Sequence, residues 1–235
     1  MRPYLIINGV NSMDVKGLLI QSLPPIVAPK MRTKSEEISG RDGDIVTALG
    51  YKAYDKSIKI GLYGDYNVDE IIKYFSQSGE VIFSNERDKY YNFACYESIS
   101  LDRLLRFKTG TIKLHVQPYK YDVYEKIIDW DNDNDKGLLL TLNNKGNTTS
   151  RPVYEVTGSG TLMFRLNGKQ ILVANANPKV ILDTTTYNAK NGNGVYINRQ
   201  VTGDVKKLCL PPGESILNIR GNVDNVKIKN VSRWL

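Results

Sequence analysis

Hydrophobic and polar residues alternate along most of the chain, and this period of two predicts β-strands. Ile58, Ile60 and Leu62 fall on one side of such a strand, with Lys59 and Gly61 on the other. The same pattern predicts further strands at Tyr4–Ile7, Leu18–Leu23, Glu80–Ser84, Tyr90–Glu97, Thr111–Gln117, Pro152–Thr157, Thr161–Leu166, Lys169–Val173, Val180–Asp183, Val195–Val201, Ser215–Arg220 and Val223–Val231. We therefore predict a mainly β protein.

Local signals predict where some of these strands turn and where one helix forms. Asn167-Gly168, between two alternating runs, predicts a two-residue hairpin turn. Gly158-Ser159-Gly160 and Gln117-Pro118-Tyr119 predict breaks between strands. Apolar residues spaced three and four apart predict one short helix over Asn67–Phe75, with Asn67 as its N-cap.

The stretch from Pro24 to Leu62 differs from the rest because much of it has no apolar face. Its prolines take it out of a sheet, and Met31–Glu37 is polar throughout, which predicts an extended arm. Gly40–Asp44 predicts a tight turn, and β-structure resumes from Ile45. We predict that Ser57–Leu62 lies at a sheet edge, where it could pair with another subunit.

The chain of 235 residues is long enough for two domains. The acidic run from Asp129 to Asp135 interrupts the strand pattern near its middle. We therefore predict an N-terminal β domain at 1–130 that carries the arm, a linker at 131–145, and a C-terminal β-sandwich at 146–235.

Composition narrows the function without choosing it. The net charge of +7 allows a polyanionic partner, but the basic residues are scattered, which favours a solvated surface. Two distant cysteines, Cys95 and Cys209, do not indicate a disulfide framework. The first residues lack the apolar run of a signal peptide, and no later run is long enough for a membrane helix, so we predict synthesis in the cytoplasm.

No pattern in the chain predicts catalysis. His115 is the single histidine and alternates onto a solvent-facing side of its strand. The run from Asp129 to Asp135 lacks the glycine and glutamate of a calcium loop, and no phosphate-binding glycine motif is present. We predict no enzyme activity, no metal and no cofactor.

Tyrosine, with 15 residues, leaves three interpretations open: core filling, subunit interfaces and sugar stacking. Nine of them were considered for these roles: Tyr51, Tyr54, Tyr63, Tyr66, Tyr90, Tyr96, Tyr119, Tyr121 and Tyr124.

Several stretches, in this order, resemble the distal tail proteins of long-tailed phages. They are Asn8–Asp14 (NGVNSMD), Ile38–Gly43 (ISGRDG) after the arm, Arg151–Gly158 (RPVYEVTG), the Asn167-Gly168 turn, and Leu210–Glu214 (LPPGE). The resemblance implies a tail-tube-like β-sandwich or split barrel for the N-terminal domain and a galectin-like sandwich, similar to carbohydrate-binding modules, for the C-terminal domain.

The resemblance also implies a function at the siphophage tail tip. Such proteins form a homo-hexameric ring that joins the tail-tube protein to a tail-associated hub or lysin protein. Receptor-binding proteins are a further partner, and DNA passes through the ring channel only in transit. No membrane contact is implied. The alternative is a carbohydrate-binding module that contacts the host cell wall.

Our candidate subunit interface consists of the arm, the turn and the β-ribbon from Ile45 to Leu62. A polar arm without a core suits contact with a neighbour. The residues predicted for this contact are Met31, Arg32, Lys34, Glu36, Arg41, Asp42 and Lys59. No sugar-binding residue could be assigned.

Overall fold

β-Strands make up most of the computed structural model, which describes residues 2–94, 105–125, 127–131 and 138–235. The chain divides into two units, one of residues 1–123 together with Leu235 and one of residues 124–234. The predicted fold class, mainly β with one short helix in the N-terminal half, is confirmed.

The first unit contains nine strands and helix α1. The elements are β1 (Leu5–Ile7), β2 (Val10–Asn11), β3 (Leu18–Ser22), β4 (Met31–Glu37), β5 (Asp44–Tyr51), β6 (Tyr54–Leu62), α1 (Val68–Phe75), β7 (Ser78–Phe83), β8 (Glu86–Ala94) and β9 (Thr109–Asp122); residues 105–107 are also helical.

Seven of these strands form one antiparallel sheet in the order β2-β1-β7-β8-β9-β6-β3. Alternate residues on β6 and β9, such as Ile58 and Leu114, point to a shared core and are fully buried. Helix α1 adds Ile71, Tyr74 and Phe75 to this core. Of the apolar stripe predicted for the helix, Ile71 and Phe75 are buried and Val68 and Ile72 are half-buried.

Helix α1 begins where its sequence predicts. The Asn67 side chain accepts hydrogen bonds from the backbone N–H groups of Asp69 at 3.1 Å and Glu70 at 3.3 Å. These are N–H groups that no helical carbonyl can satisfy, so the cap stabilises the first turn. We expect Asn67→Ala to lower the free energy of unfolding by about 1 kcal/mol. Urea denaturation followed by circular dichroism measures this, and Asn67→Asp, which keeps the accepting oxygen, should lose less.

The second unit contains a second β system with its own core. Its strands are β10 (Ile128–Asp131), β11 (Leu138–Asn144), β12 (Val153–Leu166), β13 (Lys169–Ala176), β14 (Lys179–Asp183), β15 (Asn188–Asn191), β16 (Val201–Thr202) and β17 (Gly213–Lys229), with short 3₁₀ turns at Asn198–Gln200 and Val205–Leu208. A last short strand, β18 (Arg233–Trp234), is not part of this sheet. The longest strands, β12 and β17, pair along most of their length. Tyr154 and Phe164 on β12 are fully buried in the core of this unit.

The predicted boundary and the observed units differ in position. β10 and β11 both pair with β17, and they belong to the second unit. The range 131–145, predicted as a linker, therefore contains strand β11 in the part that the structure describes.

The Asn167-Gly168 turn is confirmed, whereas two other glycine signals were misread. Asn167 and Gly168 have φ of 46° and 83°, the positive values that a tight hairpin turn needs. By contrast, β12 continues through Gly158-Ser159-Gly160, where its pairing register shifts. The predicted strands 215–220 and 223–231 are likewise one strand, β17, with Gly221 at φ 118°. These glycines permit bulges inside a strand.

Two further strand predictions were wrong. β9 does not end at Pro118 but runs to Asp122, because the register between β8 and β9 shifts there and no partner requires a proline N–H. Most of the range Val195–Val201 is not a strand: residues 195–200 form a loop with one isolated bridge at Tyr196 and a 3₁₀ turn, and only Val201 belongs to β16. The loop is held by Asn191, whose side chain accepts hydrogen bonds from Asn193 and Val195.

The prediction of an edge at Ser57–Leu62 was also wrong. Strand β6, which contains it, lies between β9 and β3 and pairs with both. The part from Lys59 to Leu62 therefore has a partner on both sides and is not free to pair with another subunit. The partner β3 lies about 40 residues earlier in the chain, a distance that local alternation does not encode.

Candidate subunit-interface hairpin

Strands β4 and β5 form a two-stranded sheet of their own, which we call the hairpin. They pair from Met31 opposite Tyr51 to Glu37 opposite Asp44. The connecting turn contains Gly40 at φ 79° and Gly43 at φ 76°, a backbone that favours glycine at both places. The predicted extended arm is therefore one strand of a hairpin, and the predicted corner is its tip.

Both faces of the hairpin are exposed. Every residue of β4 and six of the eight in β5 are exposed. Val46 is 62% exposed on one face, and Ile45 lies on the other; Leu49 is 53% exposed at a register shift between the strands. Met31, Ile38 and Ile45 are also more than a third exposed. A two-stranded sheet is marginally stable when nothing covers it, so these faces are suited to a partner.

Charge is distributed unevenly along the hairpin. Residues 36–44 contain four acidic residues and one basic residue, Arg41, so the tip has a net charge of −3. The base carries Lys30, Arg32, Lys34 and Lys52. Such a dipolar surface can dock in one orientation against a neighbour of complementary charge.

A segment of prolines connects the hairpin to the sheet, and we call residues 23–30 the strap. Three side chains donate hydrogen bonds to its carbonyl groups. Lys56 Nζ lies 3.1 Å from the Pro25 oxygen, Asn85 Nδ2 lies 3.0 Å from the Pro24 oxygen, and Tyr54 Oη lies 3.4 Å from the Val27 oxygen. The strap is thus tied to the sheet at three carbonyls.

The base of the hairpin is closed by two contacts. The Lys52 backbone N–H donates to the Lys30 carbonyl at 2.8 Å. The Tyr51 ring meets the Tyr119 ring edge-on, with their centroids 6.1 Å apart. The exposed hairpin therefore extends from an anchored base, and this limits the directions in which the hairpin can point.

The anchor of the strap, Lys56, is unusual because it is buried, with 3% of its surface exposed. Its ammonium lies 4.7 Å from the ring centroid of Tyr91 and 5.4 Å from that of Phe83. Burial lowers the pKa of Lys56 to about 8, while the Glu86 carboxylate opposes and the Lys120 ammonium adds to this change.

Glu86 organises the charged groups around this lysine. It pairs with Lys120 at 2.8 Å and accepts a hydrogen bond from Tyr91 Oη at 2.5 Å. Burial, followed by these contacts with Glu86, raises the pKa of Tyr91, so its hydroxyl stays protonated. Sequence analysis did not identify this cluster. The signal was present, because Lys56 alternates with Ile58 and Ile60 and so falls on the buried face of β6.

Six of the seven residues predicted for the interface lie on the hairpin. Lys59 is separate from them: it lies on β6, exposed, beside Gln21 and Thr111 in an open cleft. The other six occupy β4 or the tip and are exposed: Met31, Arg32, Lys34, Glu36, Arg41 and Asp42. Their role in subunit contact stays a prediction.

The residues considered for chemistry do not converge on one place. His115 is half-exposed, and its Nδ1 lies 2.7 Å from Asp55 Oδ1 on the neighbouring strand. Cys209 is a free thiol whose pKa is raised by burial. Cys95 lies outside the described residues.

The acidic run and the tyrosines divide between described and undescribed parts of the chain. Asp129 and Asp131 both accept a hydrogen bond from Asn225 Nδ2, whereas Asp133 and Asp135 lie outside the described residues. Of the tyrosines considered, Tyr54 packs against the core and Tyr63 and Tyr124 are exposed, while Tyr96 is not described.

The described part of the chain contains neither a cluster of metal ligands nor a helix that could span a membrane. No group of three or more His, Cys, Asp or Glu side chains in these residues is placed to hold a metal ion. Among the same residues, no helix has the length and apolar character to cross a membrane.

Comparison with known proteins defines the class of this fold. Residues 13–116 match the family of phage tail proteins with a RIFT-related domain, and this range includes the whole hairpin. No curated protein matches the chain in sequence.

Solved structures extend the likeness to both units. The chain is similar to the crystal structure of Dit from phage SPP1, described as a paradigm of the hub adsorption apparatus in phages that infect Gram-positive hosts. The TM-score is 0.62, with 15% identity over 100% of both chains. It is also similar to a chain of the phage P2 baseplate in its activated conformation with Ca, with a TM-score of 0.51 and 10% identity over 100% of this chain and 98% of that one. The resemblance to phage distal tail proteins is thus confirmed, and at these identities it is a likeness of fold.

Proposed function

We propose that this protein is a structural hub of a phage tail tip, in which six copies form a ring. The ring joins the tail-tube protein to a tail-associated hub or lysin protein and, further out, to receptor-binding proteins. DNA contacts the ring only while it passes through the channel. The proposal assigns the protein to the virion tail tip and gives it no catalytic group, metal or cofactor.

The exposed hairpin is the observation that carries this proposal. It lies in the range matched by the phage tail family, it has no covering layer in the described residues, and it is anchored at its base. Covering an aliphatic side chain is worth about 1.5–3 kcal/mol when burial is complete. Five half-exposed side chains therefore offer about 5 kcal/mol to a neighbour that covers them.

A ring requires a contact between two different surfaces, repeated around the axis. The hairpin provides one such surface. Two hairpins lying in parallel would place acidic tip against acidic tip and basic base against basic base, and these like charges repel. Its outer strand edges can also extend the sheet of a neighbour by β-pairing. Each subunit would then give its hairpin to the next one.

The direct test is the mass and shape of the purified protein. We expect multi-angle light scattering to give six times the chain mass of 26.5 kDa, and negative-stain microscopy to show six-fold rings. If rings require the tail-tube partner, co-expression with it should produce them. A protein that stays monomeric at high concentration, alone and with the tail-tube protein, would contradict the proposal.

A further inference from the structure

The second unit presents a sheet face whose composition differs from that of a solvated surface. β11, β17, β12, β13 and β16 lie side by side, and cross-strand pairing aligns their outward residues in rows. One row is Leu139, Asn218, Arg165 and Gln170; the next is Arg220, Met163, Leu172 and Thr202. We call these eight residues, together with Thr141 and Ile216, the outer face.

Aliphatic side chains are unusually exposed on the outer face. Leu139 is 66% exposed and Ile216 is 56% exposed, on neighbouring strands. Met163 and Leu172 are paired opposite each other and are half-buried. Scattered apolar residues need no explanation on a protein surface, but four on adjacent strands of one sheet form a patch suited to a partner.

The charges of the outer face also lack partners. Neither Arg165 nor Arg220 forms an ion pair or a side-chain hydrogen bond with any described residue. No acidic side chain is among the ten residues, although Glu214 lies on the same side of β17 in the row beyond Thr141 and Ile216. At the centre, Asn218 Oδ1 is covered, yet it accepts no hydrogen bond from the described residues. Because the protein itself covers this oxygen, the two exposed arginines, and not Asn218, are open to a partner.

The other half of the same sheet system has the opposite character. There Glu155 pairs with Lys179 at 2.7 Å and with Lys229 at 2.6 Å. Lys227 pairs with Asp129 at 3.0 Å. These contacts hold the pKa of Glu155 below its usual range, and the charges satisfy each other. Arg165 and Arg220 on the outer face contrast with these paired charges.

We propose that the outer face docks an acidic polypeptide surface that carries aliphatic side chains. The two unpaired guanidinium groups favour carboxylates on the partner, and the four aliphatic side chains favour apolar side chains on it. The face has no aromatic residue on which a sugar ring could stack. A symmetric contact between two copies would bring four arginines together and be repelled. The proposal does not depend on the ring, which the hairpin is proposed to form.

The test measures binding of a labelled random copolymer of glutamate and leucine to the full chain by fluorescence anisotropy. Polyglutamate and heparin serve as parallel probes. We expect Arg165→Glu/Arg220→Glu to weaken copolymer binding at least about tenfold. We expect Leu139→Ser/Ile216→Ser to weaken copolymer binding about fivefold and to leave polyglutamate binding unchanged.

A matched control separates this face from general charge. Lys145→Glu/Arg199→Glu makes the same change in charge at exposed positions of the second unit that lie off the face, and it should stay within about twofold of the wild type. Equal weakening by the control would overturn the proposal. So would the absence of copolymer binding, or tighter binding of heparin that depends on the same two arginines. None of these results would alter the oligomeric state, which tests the ring separately.

Discussion

Replacing residues 31–51 by the dipeptide Asn-Gly should prevent the proposed ring and leave a folded monomer. The Lys52 N–H already donates to the Lys30 carbonyl at 2.8 Å, so two residues in a tight turn can join these positions without strain. The strap and its three anchors stay intact. The shortened protein should lose all rings by light scattering and negative-stain microscopy, while circular dichroism keeps its β signal. Rings formed by the shortened protein would show that the hairpin is not the contact.

Two single substitutions identify the face that makes this contact. Val46→Lys places a charge on one face of the hairpin, and Ile45→Lys places it on the other. Val46 is 62% exposed and Ile45 is 38% exposed, so neither change should unfold the subunit. We expect the variant changed on the face that packs on the neighbour to form no rings. The variant changed on the other face should still form them. Equal, full ring formation by both variants would argue for contact through the strand edges alone.

Changing Lys56 to Met should remove a pH dependence of stability worth about 3 kcal/mol. Burial lowers the pKa of Lys56 from 10.5 to about 8. Below pH 8 the lysine holds its proton in both the folded and the unfolded chain. Between about pH 8 and 10.5 the folded chain has lost the proton and the unfolded chain still binds it, so stability rises with pH in this window. A difference of roughly 2.5 pKa units corresponds to about 3 kcal/mol.

Urea denaturation from pH 7 to 11 measures this effect as a difference between the wild type and Lys56→Met. Other titrating groups are present in both proteins and cancel to first order. Lys59→Met removes an exposed lysine from the same strand and is the matched control; it should leave the pH dependence as in the wild type. A difference between wild type and Lys56→Met that is constant over this range would rule out a buried, titrating ammonium at the strap.

The sequence predicted local features well wherever one residue type has one physical role. Asn67 caps the helix, and Asn167-Gly168 turns a hairpin, because few other arrangements suit those residues. The polar run Met31–Glu37 was correctly predicted to be extended and uncovered. Its partner in the hairpin, β5, was predicted only as a ribbon, because pairing across a turn depends on register and not on alternation.

The errors came from signals with two physical meanings and from long-range pairing. Glycine and proline mark turns, but at Gly158–Gly160 and Pro118 they mark bulges within long strands. The edge position assigned to Ser57–Leu62 failed because its second partner, β3, comes from a distant part of the chain. The buried Lys56 was missed because a lysine is rarely buried, although its position in the alternation is that of a core residue.

The exposed hairpin also determines how the free subunit should behave before assembly. The run Ile45–Tyr51 contains no charge and no proline, and it has the composition of segments that stack into cross-β aggregates. One edge of this run is paired with β4, whose charged side chains oppose stacking, but its other edge has no partner within the described residues. Newly made chains should therefore aggregate through β5 when they accumulate faster than partners cover them. Synthesis in step with the partner that covers β5 would keep this edge protected.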